Sequence, residues 1–148
     1  MAPKRKQLKP KAPSKKAERG KTIRQTITFS VPPEKVYEAL MDSKKHSFFT
    51  QSKASISRRV GGSISAYDDY ITGKNLELIP GKRIVQSWRA SDWEKGEPFS
   101  IVRFELEKSR NGTKLVFTHE NIPSSHAASI AEGWNAFYWK PMKVFLER

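Results

Sequence analysis

Three pairs of turn residues divide the middle of the chain and constrain its fold more than any other feature. They are Gly61-Gly62, Pro80-Gly81 and Asn111-Gly112. Asn-Gly is typical of a type I′ hairpin turn, which needs positive φ at both central residues. Strands that follow one another through tight turns pair antiparallel. The pairs therefore predict an antiparallel meander, with strands over 56–60, 70–79, 83–89, 99–107 and 114–119.

The segment before the meander predicts one strand and a helical region. Apolar and polar side chains alternate over residues 23–31, which indicates a half-buried strand. Pro32-Pro33-Glu34 then favours a helix start, because proline is tolerated in a first turn and a carboxylate suits a helix N-terminus. A second short helix or turn is expected over 44–49.

The C-terminal segment predicts one long amphipathic helix that begins at Ser124 or Ser125 and runs to the end. Pro141 cannot donate to the carbonyl of Phe137, so a kink is expected there. One apolar face forms from residues spaced by three and four: Ile130, Trp134, Phe137, Pro141 and Phe145.

This order of elements predicts an α+β domain of the helix-grip type over residues 22–148. A one-sided sheet and an amphipathic helix must bury their apolar faces together. The economical arrangement is a curved antiparallel sheet wrapped around the long C-terminal helix. Such a fold often leaves a cavity between sheet and helix, which is a ready ligand site.

Residues 1–21 differ from the rest and predict a disordered basic tail. They carry nine Lys or Arg and a single Glu, and therefore most of the net charge of +13. A segment with so few apolar residues cannot offset the entropy of ordering it. Two interpretations stay open. The cluster Pro3-Lys4-Arg5-Lys6 suits nuclear localisation or weak, non-specific nucleic acid contact, and the alternative is a solvated tail that aids solubility.

The residue inventory favours binding over catalysis. The chain has no cysteine, which excludes disulfides and thiolate chemistry. His46, His119 and His126 are scattered, and Asp68-Asp69 are adjacent and would point to opposite faces of a strand. We therefore expect no catalytic residue, no metal and no cofactor. No apolar run approaches the length of a membrane span.

Two strings resemble a known family. Residues 61–93 read GGSISAYDDYITGKNLELIPGKRIVQSWRASDW, and residues 132–147 read EGWNAFYWKPMKVFLE. They are similar to the C-terminal domain of the activator of heat-shock protein 90 ATPase homologue family. That family belongs to the START-like, birch-pollen-allergen-like superfamily. The resemblance covers roughly residues 22 to the end, and its motifs consist mostly of packing residues.

The resemblance implies a fold and a partner. It implies a helix-grip domain and a monomeric, cytoplasmic, co-chaperone-like module of the stress response that binds a heat-shock protein 90-type chaperone. Full activators also have an N-terminal domain that docks on the chaperone's middle segment, and residues 1–21 do not resemble it. The alternative is a small apolar ligand held in the cavity. Some superfamily relatives are cyclases or hydrolases, so an enzymatic role stays open.

Strand parity and helical spacing predict which residues form the candidate site. His119 shares parity with Leu115 and Phe117, so it is either a polar anchor or base in the cavity, or a hydrogen-bonded histidine at the core's rim. Trp139 lies off the helix stripe and Trp93 lies in a loop, which makes both candidate partner anchors. Trp93 would alternatively cap the cavity mouth or cover the end of the sheet. The expected cavity lining is Trp88, Phe104, Phe117, His119, Trp134 and Phe137.

Overall fold

The computed structural model describes residues 20–148, and these form the expected helix-grip fold. Seven strands make one antiparallel sheet in the order β1-β7-β6-β5-β4-β3-β2. The tail predicted over 1–21 lies outside the described residues except for its last two. The strands are β1 (Lys21–Phe29), β2 (Ser55–Ile56), β3 (Ser63–Ala66), β4 (Ile71–Ile79), β5 (Arg83–Ala90), β6 (Ser100–Ser109) and β7 (Gly112–Ile122).

Strand parity correctly predicts the inner face of the central strands. Phe104 of β6 pairs with Phe117 of β7, and Val102 pairs with His119. All four side chains are buried. Because side chains alternate between faces along a strand, these pairs place one continuous row of buried side chains against the helix.

The strand predicted over 56–60 is wrong beyond Ile56. Residues 57–62 form a loop instead, and Asn75 of β4 holds it. The Asn75 side-chain amide donates to the carbonyls of Ser57 and Arg59 at 2.7 and 2.9 Å. These bonds take the place of the backbone hydrogen bonds that a longer strand would have made. The chain pairs again only at β3, a strand that the sequence pattern did not predict.

The hairpin between β6 and β7 lies where Asn111-Gly112 predicts it, but its turn type differs. Ser109 pairs with Gly112, so the two loop residues are Arg110 and Asn111. Neither has positive φ, so the turn is not type I′. A side chain at Gly112 would collide with the carbonyl of Phe29. Glycine is therefore required for the close approach of β1.

Two short helices follow β1 as the sequence predicts. Helix α1 (Pro33–Met41) begins with Pro33 in its first turn and packs on β6 and β7. Helix α2 (Ser43–Thr50) is capped by Asp42, whose carboxylate accepts from the backbone N–H of Lys45 at 2.9 Å. It ends at Gln51, which has a left-handed backbone.

The C-terminal helix contains an irregularity that the sequence did not predict. A 3₁₀ turn (Ser124–His126) leads into α3 (Ala127–Trp134), a π-helical segment (Asn135–Trp139) and α4 (Lys140–Leu146). In the π segment the N–H of Lys140 donates to the carbonyl of Asn135, five residues back. The irregularity thus lies one turn before Pro141, where a kink was expected.

The π segment changes which side chains face the sheet. It adds one residue to a helical turn, and each residue of an α-helix advances the face by about 100°. Tyr138 and Trp139 therefore point inward, whereas Phe137 points outward with 58% of its surface exposed. The prediction that Phe137 faces the cavity is wrong for this reason. Across residues 20–148, no helix is both long and apolar enough to cross a membrane.

Candidate functional site

Aromatic side chains fill the space between the sheet and the C-terminal helix. Trp134 of α3 lies at its centre, with its ring centroid 4.4 Å from that of Phe117 and 5.9 Å from that of Trp88. The cavity that remains among these buried residues is about 20 Å³, and Phe104 lines it. A volume of this size holds at most one water molecule, so the interior is closed to a larger ligand.

His119 lies in the middle of this packing and takes part in a chain of hydrogen bonds. Trp134 Nε1 donates to His119 Nδ1 at 3.1 Å, so Nε2 carries the proton and donates to Ser100 Oγ at 2.8 Å. The Ser100 hydroxyl donates in turn to the carbonyl of Trp88 at 2.7 Å. Every ring nitrogen of a neutral imidazole is therefore satisfied.

Burial keeps His119 neutral. Desolvation lowers the pKa of its imidazole to about 3, because the charged form would lose its hydration. A fully buried, neutral histidine with both ring nitrogens bonded has no free atom with which to bind a ligand. His119 is thus a hydrogen-bonded core residue, which was one of the two interpretations of the sequence.

His46 is a second buried histidine, and no sequence motif marked it as a site residue. Its Nδ1 contacts the carbonyl of Leu40 at 3.0 Å, and its Nε2 contacts the Tyr138 hydroxyl at 2.8 Å. Burial lowers the pKa of His46, whereas burial raises the pKa of Tyr138. The signal that could have revealed it is its spacing of three from Phe49, which places both rings on the inner face of α2.

Trp139 and Trp93 are both buried, which corrects their assignment as exposed partner anchors. The Trp139 indole donates to the side-chain oxygen of Gln25 at 2.7 Å, and only 3% of its surface is exposed. Trp93 is 4% exposed and packs beside Trp88 and His126. The π segment turns Trp139 inward, and Trp93 covers the end of the sheet, as one interpretation held.

The open concavity lies beside this packed interior. A groove of about 470 Å³ runs between the C-terminal helix and the beginning of β4. Trp88, Trp134 and Phe137, three of the expected cavity residues, line it, whereas Phe117 and His119 do not. Its rim carries two exposed aromatic rings, Tyr70 and Phe137. We call this feature the rim groove.

A strained turn forms one wall of the rim groove. Tyr67, Asp68 and Asp69 have consecutive φ values of 51°, 55° and 69°. Left-handed backbone costs an L-residue about 1–2 kcal/mol, so other contacts must hold the turn. Asp68 and Asp69 therefore lie in this turn and not in a strand. Its backbone is held by bonds from Asp68 N–H to the Lys53 carbonyl at 2.9 Å and from Tyr70 N–H to the Tyr67 carbonyl at 3.0 Å.

A hydrogen bond ties the strained turn to the C-terminal helix. Pro141 has no N–H, so the carbonyl of Phe137 lacks its usual helical donor. The Tyr67 hydroxyl donates to that carbonyl at 2.7 Å. Burial raises the pKa of Tyr67 to about 12, so the hydroxyl stays protonated and able to donate. The rim groove is therefore bounded by a turn that is bonded to the C-terminal helix at the carbonyl that Pro141 leaves free.

Comparison with known proteins identifies the family. Residues 30–147 match the model of the activator of Hsp90 ATPase homolog 1-like protein family, and the chain belongs to that family. Among curated relatives, the activator of 90 kDa heat shock protein ATPase homolog of Dictyostelium discoideum is 31% identical over 77% of this chain. The human homolog 1 is 26% identical over 78%. The matched regions cover 30% and 34% of those relatives, so the chain spans about a third of their length.

Solved structures agree with the fold. An HSP90 activator from Plasmodium falciparum superposes with a TM-score of 0.79 and 27% identity, covering 85% of this chain and 96% of that one. The Aha1 dimer from Colwellia psychrerythraea gives a TM-score of 0.74 and 25% identity, covering 86% and 96%. The fold is thus the START-like helix-grip fold that the sequence predicted.

Proposed function

We propose that this chain is a co-chaperone-like module that binds an Hsp90-type chaperone and alters its ATPase rate. The observation that carries the proposal is the family match over residues 30–147. The HSP90 activator from Plasmodium falciparum supports it, because this chain aligns with 96% of that protein's chain. The solved chain described as an HSP90 activator therefore consists almost wholly of the domain that this chain resembles. The proposal implies a cytoplasmic location.

The packing of the molecule supports protein binding over ligand enclosure. The space between sheet and helix is occupied by Trp88, Phe104, Phe117 and Trp134, which leaves the surface as the place for recognition. Residues 20–148 carry 20 Lys or Arg and 14 Asp or Glu, so this part of the chain is basic. A basic surface would speed encounter with an acidic partner, and that effect weakens as salt rises.

The test uses this chain and a purified Hsp90-type chaperone. Titration calorimetry measures binding, and a coupled assay measures chaperone ATPase activity with and without the chain. The proposal expects saturable binding and a changed ATPase rate that reaches a plateau at the same stoichiometry. A chain that leaves the rate unchanged and gives no heat of binding, even in large excess, contradicts the proposal.

A second function is favoured by the rim groove. Its volume of about 470 Å³ lies within the range of small-molecule sites, roughly 300–1,000 Å³. The groove is lined mainly by aromatic and aliphatic side chains, and its Tyr67 hydroxyl is already bonded to the Phe137 carbonyl. We therefore propose an apolar ligand, such as a fatty acid or an aromatic molecule, as the alternative occupant.

A filled groove tests the ligand proposal. Gly133 lines the groove, and a Cβ placed there would make an ordinary contact with Phe137 at 3.7 Å. Gly133→Leu should fill the groove and abolish ligand-induced chemical-shift changes at Tyr70 and Phe137, whereas Gly133→Ala should preserve them. If fatty acids and aromatic compounds cause no shifts at these two residues in the wild type, the ligand proposal fails.

A further inference from the structure

Apolar side chains lie at the junction of α2 and α4, where Phe48 contacts Phe145 and Val144 is exposed beside Phe145 in the chain. Phe48 is 64% exposed and Val144 is 73% exposed, although both belong to regular helices. The Phe48 ring lies 5.5 Å from the ring of Phe145, centroid to centroid. We call these three residues, with the cations Lys44, Lys140 and Arg148, the helix-end patch. It lies apart from the rim groove, whose lining includes none of them.

The apolar part of the patch is held firmly in place. Phe145 also contacts the buried ring of Phe49 at 6.2 Å, and Met142 on the opposite side of α4 is fully buried. The exposed rings are therefore continuous with the core and lose little freedom when a partner covers them. Anchors that are fixed before binding contribute more to affinity than mobile ones.

Positive charge lies over these rings and on the same helix faces as the exposed side chains. The guanidinium carbon of Arg148 lies 4.5 Å from the ring centroid of Phe145 and 5.8 Å from that of Phe48. Lys44 precedes Phe48 by four residues on α2, and Lys140 precedes Val144 by four on α4, so each lysine shares a helix face with an exposed apolar residue. Within residues 20–148, none of these three cations forms an ion pair.

The nearby carboxylates are already engaged. Glu147 accepts from the backbone N–H of Ser30 at 2.8 Å and pairs with Lys143 at 3.7 Å. Asp42 caps α2, and the backbone N–H of Lys45 holds its pKa below the ordinary value. The charges of the patch therefore have no partner within it and are available to an acidic one.

We propose that the helix-end patch docks an acidic, amphipathic segment of a partner protein. Apolar side chains of that segment cover Phe48 and Val144, and its carboxylates bind Lys44, Lys140 and Arg148. A carboxylate pairs with a guanidinium through two parallel hydrogen bonds, and that geometry adds specificity. That the partner is an Hsp90-type chaperone rests on the function proposed above, whereas the chemistry of the segment rests on the patch alone.

Charge and geometry favour this occupant over three others. A second copy of the chain, or its own residues 1–19, would bring further positive charge to a cationic surface. An anionic membrane would attract the lysines, but insertion requires free ring faces. The Arg148 guanidinium lies over two of those faces, so they could not enter hydrocarbon without it.

Two substitutions test the patch without weakening α2. Phe48→Ala replaces an exposed ring with the best helix former, and Lys44→Glu places a carboxylate in the first helical turn, where it is favourable. The matched controls are Phe99→Ala, at a phenylalanine that is 45% exposed elsewhere, and Lys108→Glu at an exposed lysine of β6. Thermal unfolding of all four variants should match the wild type closely.

The measurement is affinity for two probes, the purified chaperone and a labelled helical peptide of leucine, phenylalanine and glutamate. Phe48→Ala and Lys44→Glu should each weaken both by about tenfold, the loss typical of an interface anchor. Phe99→Ala and Lys108→Glu should stay within about twofold. The peptide with glutamine in place of glutamate should bind weakly to every form.

The outcomes separate the two proposals. If the chaperone binds but neither patch variant differs from its control, the patch inference is overturned and the proposed function stands. If the chaperone does not bind, the proposed function fails, and the peptide alone decides the patch. Binding to phosphatidylserine vesicles, lost in the patch variants and without any binding of the peptide, would overturn the inference in favour of a membrane.

Discussion

The interior and the rim groove share one helix but differ in how their side chains are satisfied. In the interior, His119 has a partner for each ring nitrogen, and the surrounding rings leave about 20 Å³ empty. In the rim groove, Tyr70 and Phe137 remain exposed beside a strained turn. Interior residues therefore stabilise the fold, whereas the exposed residues of the rim groove can contact a ligand or a partner. The π segment decides which residues belong to each region.

The largest effect on stability is expected from inserting one alanine after Ala136, an exposed residue of the π segment. The insertion advances every later residue by about a further 100°, so Trp139 would rotate outward and Phe137 would turn toward the sheet. We expect the free energy of unfolding to fall by more than about 5 kcal/mol, since a whole core face is replaced. Circular dichroism and urea unfolding measure this.

A control keeps the helix register. Ala136→Ser should lower the free energy of unfolding by less than about 1 kcal/mol, because it changes only helix propensity at an exposed position. If the insertion variant were as stable as Ala136→Ser, the helix register that the π segment sets would not determine which residues are buried.

A pair of truncations sharpens the comparison between interior and groove. Trp139→Ala removes a buried indole that donates to Gln25 at 2.7 Å, and it should cost about 3–5 kcal/mol. Phe137→Ala removes a side chain that is mostly exposed and should cost less than about 1 kcal/mol. Chemical denaturation of both variants provides the values. Equal losses would mean that the two rings do not belong to different regions.

The sequence predicted the sheet better than the helix, and the reason is physical. Alternation along a strand has a period of two that β6 and β7 maintain, so Phe104, Phe117 and His119 face inward as expected. The helical face was extrapolated through Asn135–Trp139 at a period of 3.6, and one wide turn reversed Phe137 and Trp139. Nothing in the local residue pattern marks a π segment.

The rim groove also depends on contacts that a sequence pattern does not encode. The backbone of Tyr67–Asp69 is left-handed at three non-glycine residues, which local propensity disfavours. Its stability comes from residues distant in sequence, such as the carbonyls of Lys53 and Phe137. The sequence shows that Pro141 cannot donate to the Phe137 carbonyl, but the hydroxyl that donates to it instead belongs to Tyr67, 70 residues earlier.

The pH dependence of stability tests the interior alone. The pKa of His119 is about 3 in the folded protein, below its ordinary value of 6.5, so the unfolded chain binds a proton that the folded one excludes. Stability is therefore fully present above pH 6.5 and declines as pH falls from 6.5 toward 3. One such group implies a loss of about 2 kcal/mol between pH 7 and pH 5. His46, whose pKa is also lowered by burial, acts in the same direction.

Urea unfolding at several pH values measures this decline, and NMR of the histidine rings assigns it. The His119 resonances should keep the neutral form until acid unfolds the domain. A His119 ring that titrates near pH 6.5 in the folded protein would contradict the hydrogen-bonded chain from Trp134 to Trp88. His126→Asn is the control, because His126 is only partly buried and stacks on Trp93, and it should retain the decline.

The smallest expected effect concerns the bond that closes the rim groove. Tyr67→Phe removes the hydroxyl that donates to the Phe137 carbonyl and should cost about 1 kcal/mol. The amide of Asp68, which bonds to Lys53, should then exchange faster because the strained turn has lost one of its supports. Tyr70→Phe is the control, since the Tyr70 hydroxyl bonds to Asp92, and this variant should leave the exchange of the Asp68 amide unchanged.

A double-mutant cycle identifies the cause of that loss. Pro141→Ala restores an N–H that can donate to the Phe137 carbonyl within the helix, so the carbonyl no longer depends on Tyr67. In the Pro141→Ala background, Tyr67→Phe should cost less than in the wild type, with a coupling energy of about 0.5–1 kcal/mol. Additive losses would mean that Tyr67 stabilises the turn by ring packing on Phe137 and Tyr138 and not through the carbonyl that proline leaves free.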